Sequence, residues 1–256
     1  MSPRWRLLQH GSADGAFNMG VDEALLASAI AGIATLRLYA WEGHWLSLGY
    51  AQALDPRRIE ACRDAGVGIV RRITGGRAVL HGNDLTYCLA APETALPQGL
   101  RGSYRLVADA LIEGLQSLGV AAGRSAARSG TVGPGELDCF AMPAEDEICA
   151  RGRKLAGSAQ RRSRGGVLQH GSIRLAPDPP EVTRAVGFTP GVATSLSELG
   201  VRVKGEELRE ALRAAFRKAL GSCLEASVLS AGERRSAERR VEFHRADFRA
   251  ETPAPT

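Results

Sequence analysis

The sequence predicts an α+β fold in which a mixed, mostly antiparallel sheet is flanked by helices. Many short segments have the apolar pattern of strands, whereas residues 103–118 and 206–220 carry apolar side chains at helical spacing. The predicted strands and helices do not follow a regular βαβ order, which argues against a purely parallel sheet. At 256 residues and 44% hydrophobic content, the chain is long enough to bury its own core.

Strand predictions begin near the start of the chain. Over residues 34–41, leucines alternate with other side chains, which is the period-two pattern of a strand. Two later segments on either side of Arg151 and Gly152 predict a hairpin. The predicted strands cover residues 5–8, 34–41, 45–50, 68–73, 85–91, 147–150, 154–160 and 167–175.

Helix predictions are supported by start and stop signals. Asp55 stands before Pro56, the order expected of an N-cap residue followed by proline at the first helical position. Gly119 follows the most regular apolar pattern and is expected to end that helix. The predicted helices cover residues 16–31, 55–65, 103–118 and 206–220.

The chain is expected to form a single domain over residues 1–256. We predict a core over residues 5–220, a helical C-terminal extension over 221–250 and a flexible tail over 251–256. The arginine-rich part of the extension is interpreted as a solvated helix face. Residues 123–135 are rich in glycine, serine and alanine, which predicts a mobile surface loop.

Composition narrows the class of function. A net charge of +5 permits an acidic partner, but the arginines are not interleaved with aromatic residues, so nucleic-acid binding is not expected. No apolar stretch has the length of a signal peptide or a membrane span, and no membrane partner is expected. The five cysteines form no Cys-x-x-Cys pair, which favours the reducing cytoplasm.

A glycine-rich segment is the first candidate for a binding site. Arg71 and Arg72 precede Thr74-Gly75-Gly76, so backbone N–H groups can approach a ligand closely while arginines attract an anion. The alternative is a tight hairpin with surface arginines. The candidate binding residues here are Arg72, Thr74, Gly75, Gly76, Arg77, Ala78 and His81.

A strand lysine is the second candidate. Lys154 precedes the small residues Gly157, Ser158 and Ala159, which leave room for a substrate against the backbone. Its ammonium would then contact a carbonyl or phosphate oxygen. The alternative is an exposed strand lysine, which is the usual environment of that residue.

Cys139 is the candidate nucleophile, because it follows a glycine-rich loop and a nearby cation favours the thiolate. A small buried apolar residue is the alternative for this and every other cysteine. His81 and His170 are expected either to line the same pocket or to act as structural donors. No metal-ligand cluster, Walker loop or Gly-x-Ser-x-Gly motif occurs, and no metal or cofactor is expected.

Together these segments resemble the superfamily of lipoate–protein ligases, octanoyltransferases and biotin protein ligases. The resemblance runs from Trp5 to Leu220 and includes the Arg-Arg-x-Thr-Gly-Gly-Arg-Ala-Val-Leu-His and Gly-Arg-Lys-Leu-Ala-Gly-Ser-Ala-Gln runs. It implies a catalytic domain like that of class II aminoacyl-tRNA synthetases and biotin ligases. The nearest resemblance is to the cysteine-dependent octanoyltransferases of the ligase-like branch. Arg77 stands where the ATP-dependent ligases have a third glycine.

The resemblance implies that octanoyl moves from octanoyl-acyl carrier protein to a lysine of a lipoyl domain, through a thioester on Cys139. The glycine-cleavage H protein and the E2 subunits of dehydrogenases are the implied acceptors. Lys154 would lower the thiol pKa, polarise the carbonyl or accept a proton. Two alternatives remain open, an ATP-dependent lipoate or biotin ligase and an inactive relative that binds acylated carriers. Cys149, five residues before Lys154, is the rival nucleophile.

Overall fold

The computed structural model describes residues 4–125, 138, 140 and 147–246. Within these residues eleven strands and six α-helices form a large sheet, a small sheet and covering helices. The strands are β1 (Trp5–Ala13), β2 (Ala34–Trp41), β3 (Trp45–Leu48), β4 (Gly68–Arg71), β5 (Val79–His81), β6 (Asp84–Pro92), β7 (Ala122–Arg124), β8 (Ile148–Ala150), β9 (Arg153–Ser163), β10 (Gly166–Arg174) and β11 (Leu224–Ser227). The helices are α1 (Gly15–Ile30), α2 (Pro56–Asp64), α3 (Gly99–Ser117), α4 (Pro180–Val186), α5 (Gly205–Ala219) and α6 (Ala231–Ala246).

The large sheet has the order β11-β1-β2-β6-β10-β9-β8-β7. Among the described strands, β1 pairs in parallel with β2 and β11, and all the other pairs of this sheet are antiparallel. The parallel β1 and β2 are joined through α1, so the sheet contains one βαβ unit. The predicted α+β class with a mixed, mostly antiparallel sheet is therefore confirmed.

Helices cover both faces of the large sheet. On one face α1 and α6 pack through Val21, Leu25 and Ala237 against strand residues such as Leu168. On the other face α3 and α5 bury Leu111, Leu115, Leu212 and Phe216. A Cβ at Gly20 would lie 2.6 Å from the carbonyl oxygen of Ala237, so this glycine allows α1 and α6 to approach closely.

The small sheet has the order β4-β3-β5 and packs with α2 and α4 through a separate apolar cluster. The start of α2 follows the sequence prediction, because the Asp55 side chain accepts a 2.7 Å hydrogen bond from the backbone N–H of Arg57. The strand over residues 45–50 is shorter than predicted and ends at Leu48. Arg71 then bonds the backbone carbonyls of Gly49 and Gln52, which fixes the chain after β3.

The segment predicted as a helical extension also contains a strand. It includes β11, which pairs with β1 at the edge of the large sheet, before α6 begins. Helix α6 exposes most of its arginines, as predicted for a solvated face. The loop predicted over residues 123–135 begins inside β7, and residues 126–135 lie outside the described residues, as does the predicted tail. No helix among the described residues has the length and apolar character needed to cross a membrane.

Candidate active site

A cavity of about 40 Å³ lies where the large and small sheets meet. Met19, Tyr39, Trp41 and Val79 form its apolar walls. Seven of the predicted binding residues line it: Arg72, Gly76, His81, Gly157, Ser158, Ala159 and His170. The two motifs, about 80 residues apart in the chain, are thus brought to one cavity by β5, β9 and β10.

Arg72 braces the glycine segment from inside the fold. Its guanidinium donates to the carbonyl oxygen of Ser47 at 2.5 Å, to the Ser47 hydroxyl at 2.8 Å and to the carbonyl oxygen of Arg77 at 2.8 Å. Only 5% of the residue is exposed, so the alternative of a hairpin with two surface arginines is wrong for Arg72. Gly75 and Gly76 are exposed beside it.

The glycine segment also lies tightly against the end of β3. A Cβ at Gly49 would stand 1.9 Å from the carbonyl oxygen of Gly76, a distance that no side chain can occupy. Gly76 itself has a φ of +90°, which favours glycine. Both glycines are therefore required by backbone geometry, and the loop has a defined shape next to the cavity.

His170 belongs to a buried chain of polar groups. Its Nδ1 lies 2.9 Å from Asp22 Oδ2, and its Nε2 lies 2.7 Å from the hydroxyl of Thr74. Arg37 donates to Asp22 Oδ1 at 2.7 Å and Tyr39 donates to Oδ2 at 2.9 Å. These hydrogen bonds connect α1 to the glycine segment. Thr74 therefore supports the site by its hydrogen bond with His170 and does not line the cavity.

His81 belongs to a second chain of the same kind. Its Nδ1 lies 2.8 Å from Asp84 Oδ2, and its Nε2 lies 2.7 Å from the hydroxyl of Ser47. Thr86 and Ser172 donate to the same carboxylate oxygen of Asp84. Both histidines therefore line the cavity and act as structural partners, so the two interpretations of them are compatible.

The electrostatics of both chains follow from burial and hydrogen bonding. Burial by itself raises the pKa of Asp22, but the hydrogen bond with His170 and the charge of Arg37 outweigh it and lower that pKa. The pKa of Asp84 is lowered in the same way, with His81 opposing the effect of burial. Burial lowers the pKa of His170, against the attraction of Asp22. We therefore treat His170 as a neutral imidazole at physiological pH.

Acidification is expected to destabilise the protein through His170. In the unfolded chain His170 takes up a proton below a pH of about 6.5, whereas burial lowers its pKa in the folded state, so the folded protein takes up this proton only at lower pH. The free energy of unfolding therefore decreases as the pH is lowered below about 6.5. One such group contributes at most about 1.4 kcal/mol per pH unit. Urea unfolding of the wild type and of His170→Asn between pH 7.5 and 5 measures this slope. Equal slopes in the two proteins would contradict the assignment.

Lys154 lies at the start of β9 and is buried. Only 1% of the residue is exposed, so the alternative of an exposed strand lysine is wrong. Its Nζ donates to Glu147 Oε1 at 2.5 Å and lies 4.9 Å from the ring centre of Phe140. A Cβ at Gly157 would lie 3.1 Å from that Nζ, so the glycine leaves the space that the ammonium occupies. The lysine and the cavity are thus neighbours along β9.

Cys139 lies outside the described residues, but both of its sequence neighbours are described. Asp138 is buried and forms a parallel bridge with Ala78, which belongs to the first motif. Phe140 is also buried, and its backbone N–H donates to Asp138 Oδ1 at 2.7 Å. Its ring centre lies 4.9 Å from the Lys154 ammonium and 5.5 Å from the Arg174 guanidinium. The residues on either side of Cys139 therefore contact the first motif and the lysine of the second.

Of the four described cysteines, three have a raised thiol pKa, which disfavours the thiolate. The fourth does not line the cavity. Burial raises the pKa of Cys62 to about 11 and that of Cys88 well above its ordinary value. Cys149 pairs with Lys154 across the β8–β9 hairpin, but burial and the charge of Glu147 raise its thiol pKa. Cys223 is exposed just before β11.

Sequence reasoning missed the acidic partners of this site. Glu147, Asp22 and the role of Asp84 depend on contacts between residues far apart in the chain or across an irregular hairpin. Trp41 was missed as well, although it stacks on His81 with 3.9 Å between ring centres. A buried-strand pattern containing Arg37 was an available signal, since a charged residue inside a strand requires a partner. Among the described residues no group of His, Cys, Asp and Glu has the arrangement of a metal site.

Comparisons with known proteins agree with this geometry. Residues 14–217 match the family described as the lipoyl protein ligase A/B catalytic domain. The large coverage of the chain by this match shows that the chain belongs to that family. The family predicted from the two motifs is therefore confirmed.

Sequence relatives narrow the class further. The chain is 39% identical to the octanoyltransferase LipM of Kyrpidia tusciae, over 95% of this chain and 97% of that protein. It is 37% identical to the octanoyltransferase LipM of Symbiobacterium thermophilum, over 94% and 96% of the two chains. The two alignments cover nearly the whole length of these octanoyltransferases.

Solved structures show the same fold. A lipoate-protein ligase A bound with ATP has a TM-score of 0.76 and 22% identity, covering 94% of this chain and 95% of that chain. A bi-partite lipoate protein ligase of Thermoplasma acidophilum has a TM-score of 0.72 and 21% identity, covering 94% and 92%. At these sequence identities the comparison establishes the fold alone.

Proposed function

We propose that this protein transfers an octanoyl group from octanoyl-acyl carrier protein to a lysine of a lipoyl domain, with Cys139 as the covalent carrier. The octanoyltransferase relatives, which align with nearly the whole chain, confirm the prediction of an acyltransferase of this type and do not favour the ligase alternative. The observation that supports the site is the buried Lys154 beside the cavity, next to the ring of Phe140. The proposed location of the reaction is the cytoplasm, where reducing conditions keep a cysteine free.

The proposed reaction has two thioester-level steps. In the first, the Cys139 thiolate attacks the octanoyl carbonyl carbon, and the bond between that carbon and the donor sulfur breaks. The donor leaves as a thiolate and octanoyl-cysteine remains. In the second, the acceptor lysine amine attacks the same carbon, the Cys139 thiolate leaves, and the amine loses one proton as the amide forms. That proton balances the donor thiolate released in the first step. The first step exchanges one thioester for another, and the free energy of the acyl-enzyme thioester drives amide formation in the second, so no ATP is needed.

Lys154 is proposed to stabilise negative charge at this carbon. Its ammonium is held by Glu147 in a place that the missing side chain of Gly157 leaves open. A cation fixed in a buried setting stabilises a developing oxyanion and a thiolate without reorganising first. Cys139 follows Asp138 and precedes Phe140, whose contacts with Ala78 and Lys154 support a reacting position near the glycine segment.

The glycine segment and the cavity are proposed to hold the acyl–thioester region of the donor. Met19, Tyr39 and Trp41 offer apolar surface to the octanoyl chain, whereas Gly75 and Gly76 present backbone groups at the loop beside it. Arg77 and Ala78 complete the loop, with Ala78 held by Asp138. The glycine-cleavage H protein and E2 subunits are the proposed acceptors.

Transfer from octanoyl-carrier is expected to require neither ATP nor Mg²⁺, because the donor thioester is already activated. Incubating the protein with octanoyl-carrier and apo lipoyl domain, with and without ATP, measures this by the mass of the acceptor. We expect equal octanoylation in both reactions. If free octanoate or lipoate with ATP were the only productive donor, the protein would be a ligase. If the carrier bound and no acyl group moved, it would be an inactive relative.

A further inference from the structure

A second, larger depression lies beside the cavity, at the far end of β9 from Lys154. Its volume is about 610 Å³, and Arg72 forms part of the wall of both. We call it the basic groove; the lining residues used below are Tyr50, Arg71, Arg161, Arg164, Arg240 and Phe243. Of the residues that line the cavity, only Arg72 also lines the basic groove.

The basic groove carries a strong positive charge. Five arginines line it against a single carboxylate among its described residues, that of Glu23, and this carboxylate pairs with Arg240 at 2.7 Å. Within the described part of the chain, Arg161 and Arg164 form no ion pair, and Arg161 donates only to the carbonyl oxygen of Ile73 at 2.8 Å. Two guanidinium groups are therefore available for an anionic partner.

Apolar surface borders these arginines. Tyr50, in the loop after β3, is 63% exposed, and Phe243 of α6 is 64% exposed. The guanidinium of Arg161 lies 5.5 Å from the ring centre of Tyr50. Exposed aromatic residues next to arginines are the composition of a protein-binding surface, in which the charges orient the partner and the rings supply contact area.

The position of the groove along β9 distinguishes between the two substrates of the proposed reaction. Ser158 lines the cavity and Arg164 lines the groove, and the six residue steps from one to the other span ~20 Å at ~3.3 Å per residue. A carrier protein presents its thioester at the tip of a long phosphopantetheine arm whose base carries an anionic phosphodiester. An acceptor lysine has only a four-carbon stem, so its domain must dock nearer the reacting carbon.

We propose that the basic groove is the docking surface of the donor acyl carrier protein. Acidic side chains of the carrier and the phosphodiester of its arm contact Arg161 and Arg164, and the arm passes Arg72 to place the thioester in the cavity. This inference rests on the proposed octanoyl transfer, because that reaction defines the donor.

The chain offers a matched pair of variants for the test. Arg164 and Arg151 each occupy the first position of a two-residue hairpin turn, with φ values of 50° and 48°, and each is followed by a glycine of positive φ. Both are exposed, and they lie at opposite ends of β9. Arg164→Glu and Arg151→Glu therefore change the net charge and the turn backbone equally, but only the first changes the groove.

Binding is measured by fluorescence anisotropy of labelled octanoyl-carrier at several salt concentrations, without an acceptor. We expect Arg164→Glu to raise the Kd about ten-fold and to weaken its salt dependence, because it reverses one charge in a steering field. Arg151→Glu should stay within about two-fold of the wild type. Unchanged binding by Arg164→Glu, or an equal loss in both variants, would overturn the proposal.

Turnover with two donors separates this inference from the proposed function. With octanoyl-N-acetylcysteamine, a neutral thioester without carrier or phosphate, Arg164→Glu should transfer at the wild-type rate. With octanoyl-carrier its KM should rise while kcat is retained. A raised KM for the lipoyl domain instead would assign the groove to the acceptor and overturn the proposal. Absence of transfer from either thioester by the wild type would contradict the proposed function, whereas the anisotropy result would still decide the docking site.

Discussion

Replacing Lys154 by methionine is expected to lower octanoyl transfer by at least about 100-fold. The reason is that a buried cation fixed next to the reacting carbon stabilises charge that develops only during acyl transfer, and loss of such a group costs on the order of 10² to 10³ in rate. The effect should be on kcat more than on KM, since the ammonium occupies a position held by Glu147 before substrate arrives. Steady-state transfer from octanoyl-carrier to a lipoyl domain measures it.

Stability must be controlled in this experiment, because Lys154 is buried in an ion pair. Removing it leaves the Glu147 carboxylate buried without its partner, which costs about 3–5 kcal/mol in comparable pairs. An exposed strand lysine would lose little packing on truncation, but Lys154 is buried, so a loss of stability is expected here. The double variant Lys154→Met with Glu147→Gln should regain most of the stability and none of the transfer.

A neighbouring residue supplies the control. Arg153 precedes Lys154 in β9, is partly exposed, and pairs with Glu198 at 3.2 Å. Arg153→Met should leave the unfolding free energy nearly unchanged, as for most partly exposed ion pairs. Its transfer rate should stay within about two-fold of the wild type. If the double variant regained both stability and transfer, Lys154 would be a structural residue only.

Replacing Cys139 by alanine is expected to reduce transfer by at least about 10³-fold, because loss of a covalent nucleophile costs several orders of magnitude in other enzymes. Cys149→Ala should keep most of the activity, since burial and Glu147 raise the pKa of that thiol. Cys223→Ala, which removes an exposed thiol before β11, is the control for loss of a cysteine as such. Loss of transfer in Cys149→Ala with full transfer in Cys139→Ala would assign the nucleophile to Cys149.

Local signals were sufficient for most elements of the fold. The Asp55–Pro56 start of α2 and the alternation in β2 were read directly, because capping and strand periodicity depend on neighbouring residues. The short strands β5, β7 and β11 and helix α4 were not predicted. Each has few residues, and the three strands are stabilised by pairing with strands from other parts of the chain. Strand periodicity cannot reveal such pairing.

The candidate site was predicted as two motifs and a cysteine, without the groups that organise it. His170 and Asp22 are separated by 148 positions in the chain, so no spacing rule links them. The burial of Lys154 depends on Glu147 across a hairpin with an irregular register, which period-two reasoning does not anticipate. Sequence therefore predicted which segments meet, whereas the ionisation states and supporting carboxylates required the tertiary structure.

The most direct test of the account is the identity of the residue that carries the acyl group. The protein is mixed with octanoyl-carrier in the absence of acceptor, digested, and its peptides are analysed by mass spectrometry before and after hydroxylamine. We predict one octanoyl adduct that hydroxylamine removes, on the peptide containing Cys139, and its absence from Cys139→Ala. An adduct on Cys149, or complete transfer without any acyl-enzyme, would contradict the proposed mechanism.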